Sequence, residues 1–288
     1  MQYFTDPACS WCWATEPIVR KLMVEFGESL SWTWVMGGLA RDYTAGHEDP
    51  EAGIPAGEGV YSGLIRHWLD VAEEGRMPID PRLWSEGPIA STYPSCMAVK
   101  AAAEQADDRG YAYLRRLREG LLCFRRKLDT TEALVEEARG ARLDVKRFRI
   151  DLGSHAIVEG FSADLERIRD VPADAREQGK VKSTGGPERL PLPSTVFTGE
   201  DGTRRAVYGH GPYEAYRAAA EECGAVPLGA GPPTVAEALG RFGRMATREV
   251  ELICELPEAR AAAELWSLAA EWKVKPVRVL TGHLWEPA

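Results

Sequence analysis

Two cysteines spaced by two residues, Cys9-Ser10-Trp11-Cys12, follow Tyr3-Phe4-Thr5-Asp6-Pro7 near the start of the chain. A pair at this spacing on a helix lies about one turn apart and can cycle between dithiol and disulfide. The attacking species is the thiolate. At a helix N-terminus the sulfur of Cys9 would meet free backbone N–H groups and the positive end of the helix dipole, and both favour the charged form. The sequence therefore predicts Cys9 as an exposed attacking thiol with a pKa below the free value of about 8.5. Cys12, more buried, would resolve the mixed disulfide.

A redox pair also needs a surface that holds the incoming chain. Leu190-Pro191-Leu192-Pro193 leads into Ser194-Thr195-Val196-Phe197, which reads as a strand. A cis bond before a proline there would turn the preceding backbone toward an extended substrate. Pro193 starts the strand and is the better cis candidate, with Leu192 as the pairing residue. The expected substrate contacts are thus Trp11, Leu192 and Pro193.

Other chemistries of a Cys-x-x-Cys need more than this chain offers. A zinc site would require two further ligands at comparable spacing, and His47, His67, His155, His210 and His283 are isolated from one another. Covalent haem attachment needs a histidine where Trp13 stands. No metal and no cofactor is expected. His210, between two glycines, reads as a solvent-facing loop histidine with a conceivable proton-shuttling role.

The elements that must position the pair are legible. Residues 2–5 read as a strand, Asp6-Pro7 as a turn, and Ile18, Leu22 and Phe26 as one apolar face of a helix. Pro17 would kink that helix. The segment 30–36 is aromatic and β-branched, so the start of the chain is a β-α-β unit with parallel strands. A Gly- and Pro-rich loop at 41–59 precedes a long helical block, with helices expected at 60–74, 93–106, 111–124, 145–152 and 155–170 and a short one opened by Thr130-Thr131. Asp201-Gly202 turns a hairpin between 193–197 and 204–208, and Pro212 opens a helix. Beyond a Gly/Pro linker come helical stretches at 235–242, 247–255 and 258–271 and two strands around Thr281-Gly282. That tail has the shape of a winged helix.

The whole chain sets bounds. Its 288 residues suffice for one large or two smaller domains. A net charge of −9 argues against nucleic acid or an anionic membrane as partner. Arg241, Arg244 and Arg248 in the tail are offset by nearby glutamates. No apolar run approaches the ~20 residues that span a bilayer, and the start lacks a secretory h-region, so the expected location is cytoplasmic. Cys96, Cys123, Cys223 and Cys254 are scattered and read as buried free thiols. Trp32, Trp34, Trp68, Trp84 and Trp266 read as core.

Tyr3-Phe4-Thr5-Asp6-Pro7-x-Cys9-Ser10-Trp11-Cys12-Trp13, Val35-Met36-Gly37-Gly38-Leu39 and Ser91-Thr92-Tyr93-Pro94-Ser95-Cys96-Met97-Ala98-Val99-Lys100 together resemble the DsbA-like branch of the thioredoxin superfamily. The resemblance is to its cytosolic dithiol–disulfide isomerase group, which includes the adaptor that delivers the Spx regulator to the ClpXP protease, and it spans residues 2–223. It implies an α/β thioredoxin-like fold at 1–40 and 186–223 with an inserted helical domain at 41–185, to which the residue pattern beyond adds a linker at 224–233 and a small C-terminal winged-helix-like unit at 234–288. It also implies Cys9 as nucleophile, Cys12 as resolving thiol and Pro193 as cis-proline. Ser10-Trp11 is neither the Pro-His of the periplasmic oxidant nor the Gly-Pro of thioredoxin, and bulky Trp11 narrows access to Cys9. Glutathione transferases of the kappa class and chromene-carboxylate isomerases share the fold but use a single Ser or Cys, which the intact pair disfavours.

Two functions stand at this point. One is a cytosolic thiol–disulfide oxidoreductase or isomerase acting on a disulfide-containing protein or a small thiol. The other is a non-enzymatic protein-binding adaptor of the protease-adaptor type, meeting its partner through the groove or the helical insertion. Neither requires nucleic acid or membrane.

Overall fold

The computed structural model describes residues 1–44, 47–49, 52–55, 57–106, 108–183 and 186–288, with residue 58 described by its backbone alone. A four-stranded sheet carries the site, in the order β2-β1-β3-β4. Strand β1 (Gln2–Thr5) lies parallel to β2 (Thr33–Met36), with Tyr3 opposite Trp34. Its other edge pairs antiparallel with β3 (Ser194–Thr198), which forms a hairpin with β4 (Arg204–Tyr208). The thioredoxin-like sheet is therefore assembled from the two ends of a segment whose middle is helical.

Between β1 and β2 run α1 (Ser10–Ala14) and α2 (Glu16–Phe26). The expected kink in one helix is a break at Thr15. Pro17 falls in the first turn of α2, where its missing N–H would have had no helical partner. The apolar face of α2 buries Ile18, Leu22 and Phe26 against Phe197, Tyr213 and Tyr216.

From β2 to β3 the chain is largely helical. It forms α3 (Val60–Gly75), α4 (Leu83–Glu86), α5 (Tyr93–Ala103), α6 (Arg109–Arg118), α7 (Thr131–Gly140), α8 (Val145–Leu152), α9 (His155–Arg169) and α10 (Ala173–Glu177). The single helix expected at 111–124 is α6 followed by a π-helical turn at 119–123. Trp68, Trp84, Tyr113, Leu117 and Phe148 fill a common core here. The block packs on the sheet and on the helix that carries the dithiol. Asp164 of α9 accepts the Met36 N–H at 3.0 Å and pairs with Lys100 at 2.6 Å. Helices α1 and α3 cross at Gly75, where a Cβ would come within 2.5 Å of that of Ala14.

After β4, α11 (Tyr213–Glu222) covers the sheet, and residues 224–233 lead away from it. The C-terminal unit follows in the order α12 (Val235–Phe242), β5 (Met245–Ala246), α13 (Thr247–Ile253), α14 (Glu258–Ala270), β6 (Val274–Val279) and β7 (Gly282–Pro287). Its small sheet has the order β5-β7-β6, and β5 is a strand the sequence pattern had not marked. Leu239, Val250, Leu265 and Trp285 form a separate core. Helix α13 packs along α2, the helix that follows the dithiol. Trp68 and Trp84 are core residues as expected, whereas Trp266 is 51% exposed and meets Trp285 and His283 edge to face. Among the described residues no helix is long and apolar enough to cross a membrane.

Candidate active site

Cys9 is the N-cap of α1, and its sulfur accepts the backbone N–H of Cys12 at 3.3 Å. The strand-to-helix turn that places it is built around Asp6. This fully buried carboxylate accepts the N–H groups of Ala8 (2.8 Å) and Leu39 (2.7 Å), the Thr92 hydroxyl (2.8 Å) and the Cys96 thiol (3.3 Å). One side chain thus joins the end of β1, the loop after β2 and the start of α5. Burial raises the Asp6 pKa, and these donors oppose the rise.

Leu192 and Pro193 stand across from the dithiol. The Leu192–Pro193 peptide bond is cis, and the Cys9 thiol donates to the Leu192 carbonyl at 3.7 Å. Gly37 makes room for this segment, since a Cβ there would meet Leu192 Cδ1 at 2.8 Å. A cavity of about 570 Å³ opens beside the pair, lined in part by Cys9, Trp11, His67, Lys182, Arg189 and Leu192. The five residues that sequence singled out therefore share one neighbourhood.

Two expectations about the cysteines need correction. Cys9 is only 5% exposed, and Cys12 is fully buried. Burial also pushes the Cys9 thiol well above its ordinary pKa, reinforced by the neighbouring Cys12 sulfur. The single N–H at the cap is outweighed by desolvation. At Cys12 the balance of causes acting on its charge runs the other way. Burial opposes it there too, but the Cys9 thiol, the Arg118 guanidinium and the Thr5 hydroxyl together lower the Cys12 pKa.

Two histidines flank the Ser10-Trp11 dipeptide, and the sequence pointed to neither role. His67, on α3, lies 3.3 Å from the Ser10 hydroxyl through Nε2 and meets the edge of Trp11. His210 stacks on Trp11 with ring centroids 5.4 Å apart, and its Nδ1 is 2.8 Å from Thr15 Oγ1. The Thr15 hydroxyl donates to the Trp11 carbonyl at 2.8 Å, so its oxygen is left to accept from His210. His210 is thus packed on the active-site helix rather than standing in solvent. Burial lowers the pKa of both imidazoles, keeping them neutral at pH 7.

Behind Cys12 lies a buried ion cluster. Arg118 donates to Glu16 and to Thr5, Arg115 to Glu119 and, through two nitrogens, to Glu249 at 2.8 and 3.0 Å. Arg20 pairs with Glu249 at 2.9 Å. Arg244 bridges Glu119 and Glu286. The arginines that read as possible nucleic-acid contacts are turned to protein partners: Arg241 donates to the Met23 carbonyl, and Arg248 pairs with Glu251. Among the described residues no group of three or more His, Cys, Asp or Glu is arranged to hold a metal ion.

Comparison with known proteins agrees with this architecture. The family described as thioredoxin matches residues 3–173. A protein of Halalkalibacterium halodurans named ClpXP adapter protein SpxH is 29% identical over 287 residues, which cover 98% of this chain and 86% of that protein. Two solved structures share the fold. A putative protein disulfide isomerase from Nitrosomonas europaea superposes with a TM-score of 0.58 at 20% identity, covering 77% of this chain and 95% of that one. The cytosolic disulfide reductase DsbM from Pseudomonas aeruginosa gives 0.53 at 17% identity, covering 77% and 93%.

Proposed function

The chain belongs to the thioredoxin family, and on that premise we propose that it is a cytoplasmic thiol–disulfide oxidoreductase or isomerase with Cys9 and Cys12 as its redox pair. The observation that carries this reading is the convergence of Cys9, the Leu192 carbonyl and the cis Leu192–Pro193 bond beside one cavity, with Cys12 buried one turn further along α1. Cys9 lines that cavity and is the attacking sulfur. As it attacks a substrate disulfide, its proton passes to the Cys12 thiolate, the substrate S–S bond breaks, and one substrate thiolate leaves. Cys12 then attacks the Cys9 sulfur, its proton goes to the second departing sulfur, and a Cys9–Cys12 disulfide remains. The substrate gains two electrons, and an external thiol or dithiol reductant restores the pair. Trp11, held between His67 and His210, forms one wall against which an extended chain or small disulfide would rest.

The division into 1–40 with 186–223, 41–185, 224–233 and 234–288 belongs to the same proposal, as does the winged-helix reading of the last unit. Its separate core and its three helices with a β-hairpin support both.

A second reading, a protein-binding adaptor for a ClpXP-type protease, is favoured by similarity to a named adapter protein along 98% of the chain. One pair of assays separates the two. An oxidoreductase reduces insulin or refolds scrambled ribonuclease, loses turnover in Cys9→Ala, and accumulates a mixed disulfide in Cys12→Ser. Turnover no higher than that of Cys9→Ala, with partner capture retained when both cysteines are replaced, would overturn the enzyme in favour of the adaptor.

A further inference from the structure

Away from the dithiol, a groove of about 970 Å³ opens where the sheet, the helical block and the C-terminal unit meet. Stacked rings line it. Trp34 lies between Trp32, with centroids 5.2 Å apart, and Tyr111, at 4.9 Å, and the three planes are nearly parallel. Trp32 and Trp34, which read as core, are only half-buried. Neighbouring tryptophans left partly exposed and rimmed by polar groups mark a contact surface rather than core packing. The open edge of β2 borders the same groove. Thr33 and Gly37 donate to the Met1 and Thr5 carbonyls on the β1 side, so the alternate residues Trp34 and Met36 turn their peptide groups off the free edge. Asp164 takes the Met36 N–H. Trp34 is therefore the residue of the strand at which a further strand can be added.

The charges around the groove divide in two. Arg20 and Arg115 are buried against Glu249, and Lys100 pairs with Asp164 at 2.6 Å. Arg241, on α12, donates to the Met23 carbonyl and lies 5.2 Å over the Phe242 ring. Glu28 and Glu104 are exposed and, among the described residues, have no ion-pair partner. Asp108 is 87% exposed and 4.0 Å from the Arg109 guanidinium. The lining cations are thus engaged with the protein, and the carboxylates are open to a visitor.

We propose that this groove docks an extended basic segment of a partner protein, added as a strand at Trp34, with arginine or lysine side chains on the tryptophans and facing Glu28, Glu104 and Asp108. An edge strand accepts any backbone, so selectivity comes from side chains. These alternate along a strand, and every second one falls on the face that carries Trp32 and Trp34. Indole holds a guanidinium or ammonium better than any other side-chain ring. An acidic segment would meet three open carboxylates, and a helix would leave the Trp34 peptide groups unpaired. The net charge of −9 attracts the same partner at longer range. The groove shares no lining residue with the cavity beside Cys9, so it serves the protein substrate of an oxidoreductase and the partner of an adaptor alike.

The test is binding of a defined probe to the full reduced chain. A dye-labelled, blocked hexapeptide of alternating valine and arginine is titrated by fluorescence anisotropy, beside its valine–glutamate counterpart and a fully N-methylated form. The basic peptide should bind about tenfold more tightly than the acidic one, the effect of several surface charge pairs. Its affinity should fall between about 50 and about 300 mM salt. N-methylation should weaken it about tenfold by removing the bonds to Trp34. Glu28→Lys with Glu104→Lys leaves the rings in place and should also weaken it about tenfold, and Trp32→Ala should do so about fivefold. Hydrogen exchange read by mass spectrometry should slow in the segment that carries Trp34 when the peptide binds. Equal affinity for the two charge types would overturn the proposal. So would a folded Glu28→Lys, Glu104→Lys chain within about twofold of the natural one, unchanged affinity on N-methylation, or unchanged exchange at Trp34. A concentration-dependent dimer in sedimentation that Trp32→Ala abolishes would assign the groove to a second copy of this chain and overturn it as well.

Discussion

Replacing Glu249 tests whether the C-terminal unit is bound to the redox helix by charge. The carboxylate is fully buried, accepts two hydrogen bonds from Arg115 and one from the Ala246 N–H at 2.6 Å, and forms an ion pair with Arg20 at 2.9 Å. Removing one partner of a buried pair leaves an uncompensated charge and costs about 3–5 kcal/mol. Two guanidiniums lose a counter-ion here, although Arg115 keeps Glu119 and lies over the Trp13 ring, and Arg20 keeps Tyr111 and lies over Phe242. Those contacts set the loss for Glu249→Leu within that range rather than above it.

The control is Glu286→Ala. Glu286 bonds the same cluster through Arg244, but its side chain is 44% exposed, and an exposed pair contributes about 0–1 kcal/mol. Urea unfolding of the full chain, followed by far-UV circular dichroism and tryptophan fluorescence, gives both numbers. Combining Arg115→Met with Glu249→Leu should cost less than the sum of the single changes, with a coupling of about 1–3 kcal/mol. A Glu249→Leu chain within about 1 kcal/mol of the natural one, or a coupling near zero, would refute the reasoning.

Other consequences follow from single sites. His47 is 3% exposed, and burial lowers its pKa from 6.5 to about 4, so the fold favours the neutral ring. Its contribution is fully present above about pH 6.5 and is lost as pH falls toward 4, a span worth about 3 kcal/mol. The stability difference between the natural chain and His47→Gln should therefore shrink by that order across this window, and a constant difference would refute it. Gly75→Ala pushes a methyl into Ala14 at the crossing of α1 and α3, which should destabilise by about 1–3 kcal/mol in the same urea assay. Gly37→Ala should cost a similar ~1–3 kcal/mol by displacing Leu192, and unlike Gly75→Ala it should also speed alkylation of Cys9.

What could be read in advance was whatever is local. The Cys9/Cys12 spacing, the period of Ile18, Leu22 and Phe26, and a proline at the head of a strand are properties of a few consecutive residues. They marked the dithiol, its helix and the Leu192-Pro193 entry, all of which the structure brings together. The distant partners of Asp6 are Leu39, Thr92 and Cys96, and no local pattern announces that the loop after β2 and the start of α5 will meet at one carboxylate. Glu16, Arg115, Arg118 and Glu249 each look like ordinary helix-surface charges in sequence. His210 between two glycines looks solvated, and only the turn of the chain after β4 stacks it on Trp11.

The wrong expectation for Cys9 shows why a helix-cap argument is incomplete. A helix terminus offers a sulfur one N–H and a partial charge, worth about 0.3–1 kcal/mol at the surface and up to ~2 when partly buried. Full burial of a thiolate acts in the opposite direction by as much as 3–5 pH units, or about 4–7 kcal/mol. The cap therefore decides the outcome only where the sulfur stays wet. Cys9 does not, because Leu192 closes over it and Trp11 is pinned between two imidazoles. Once both sulfurs are dry, their ionisation depends on groups that the local pattern does not include, among them Arg118 on α6, more than a hundred residues along the chain. The setting of the pair is thus a property of segments far apart in the chain, which is why this site could not have been evaluated from the strand and helix that carry it.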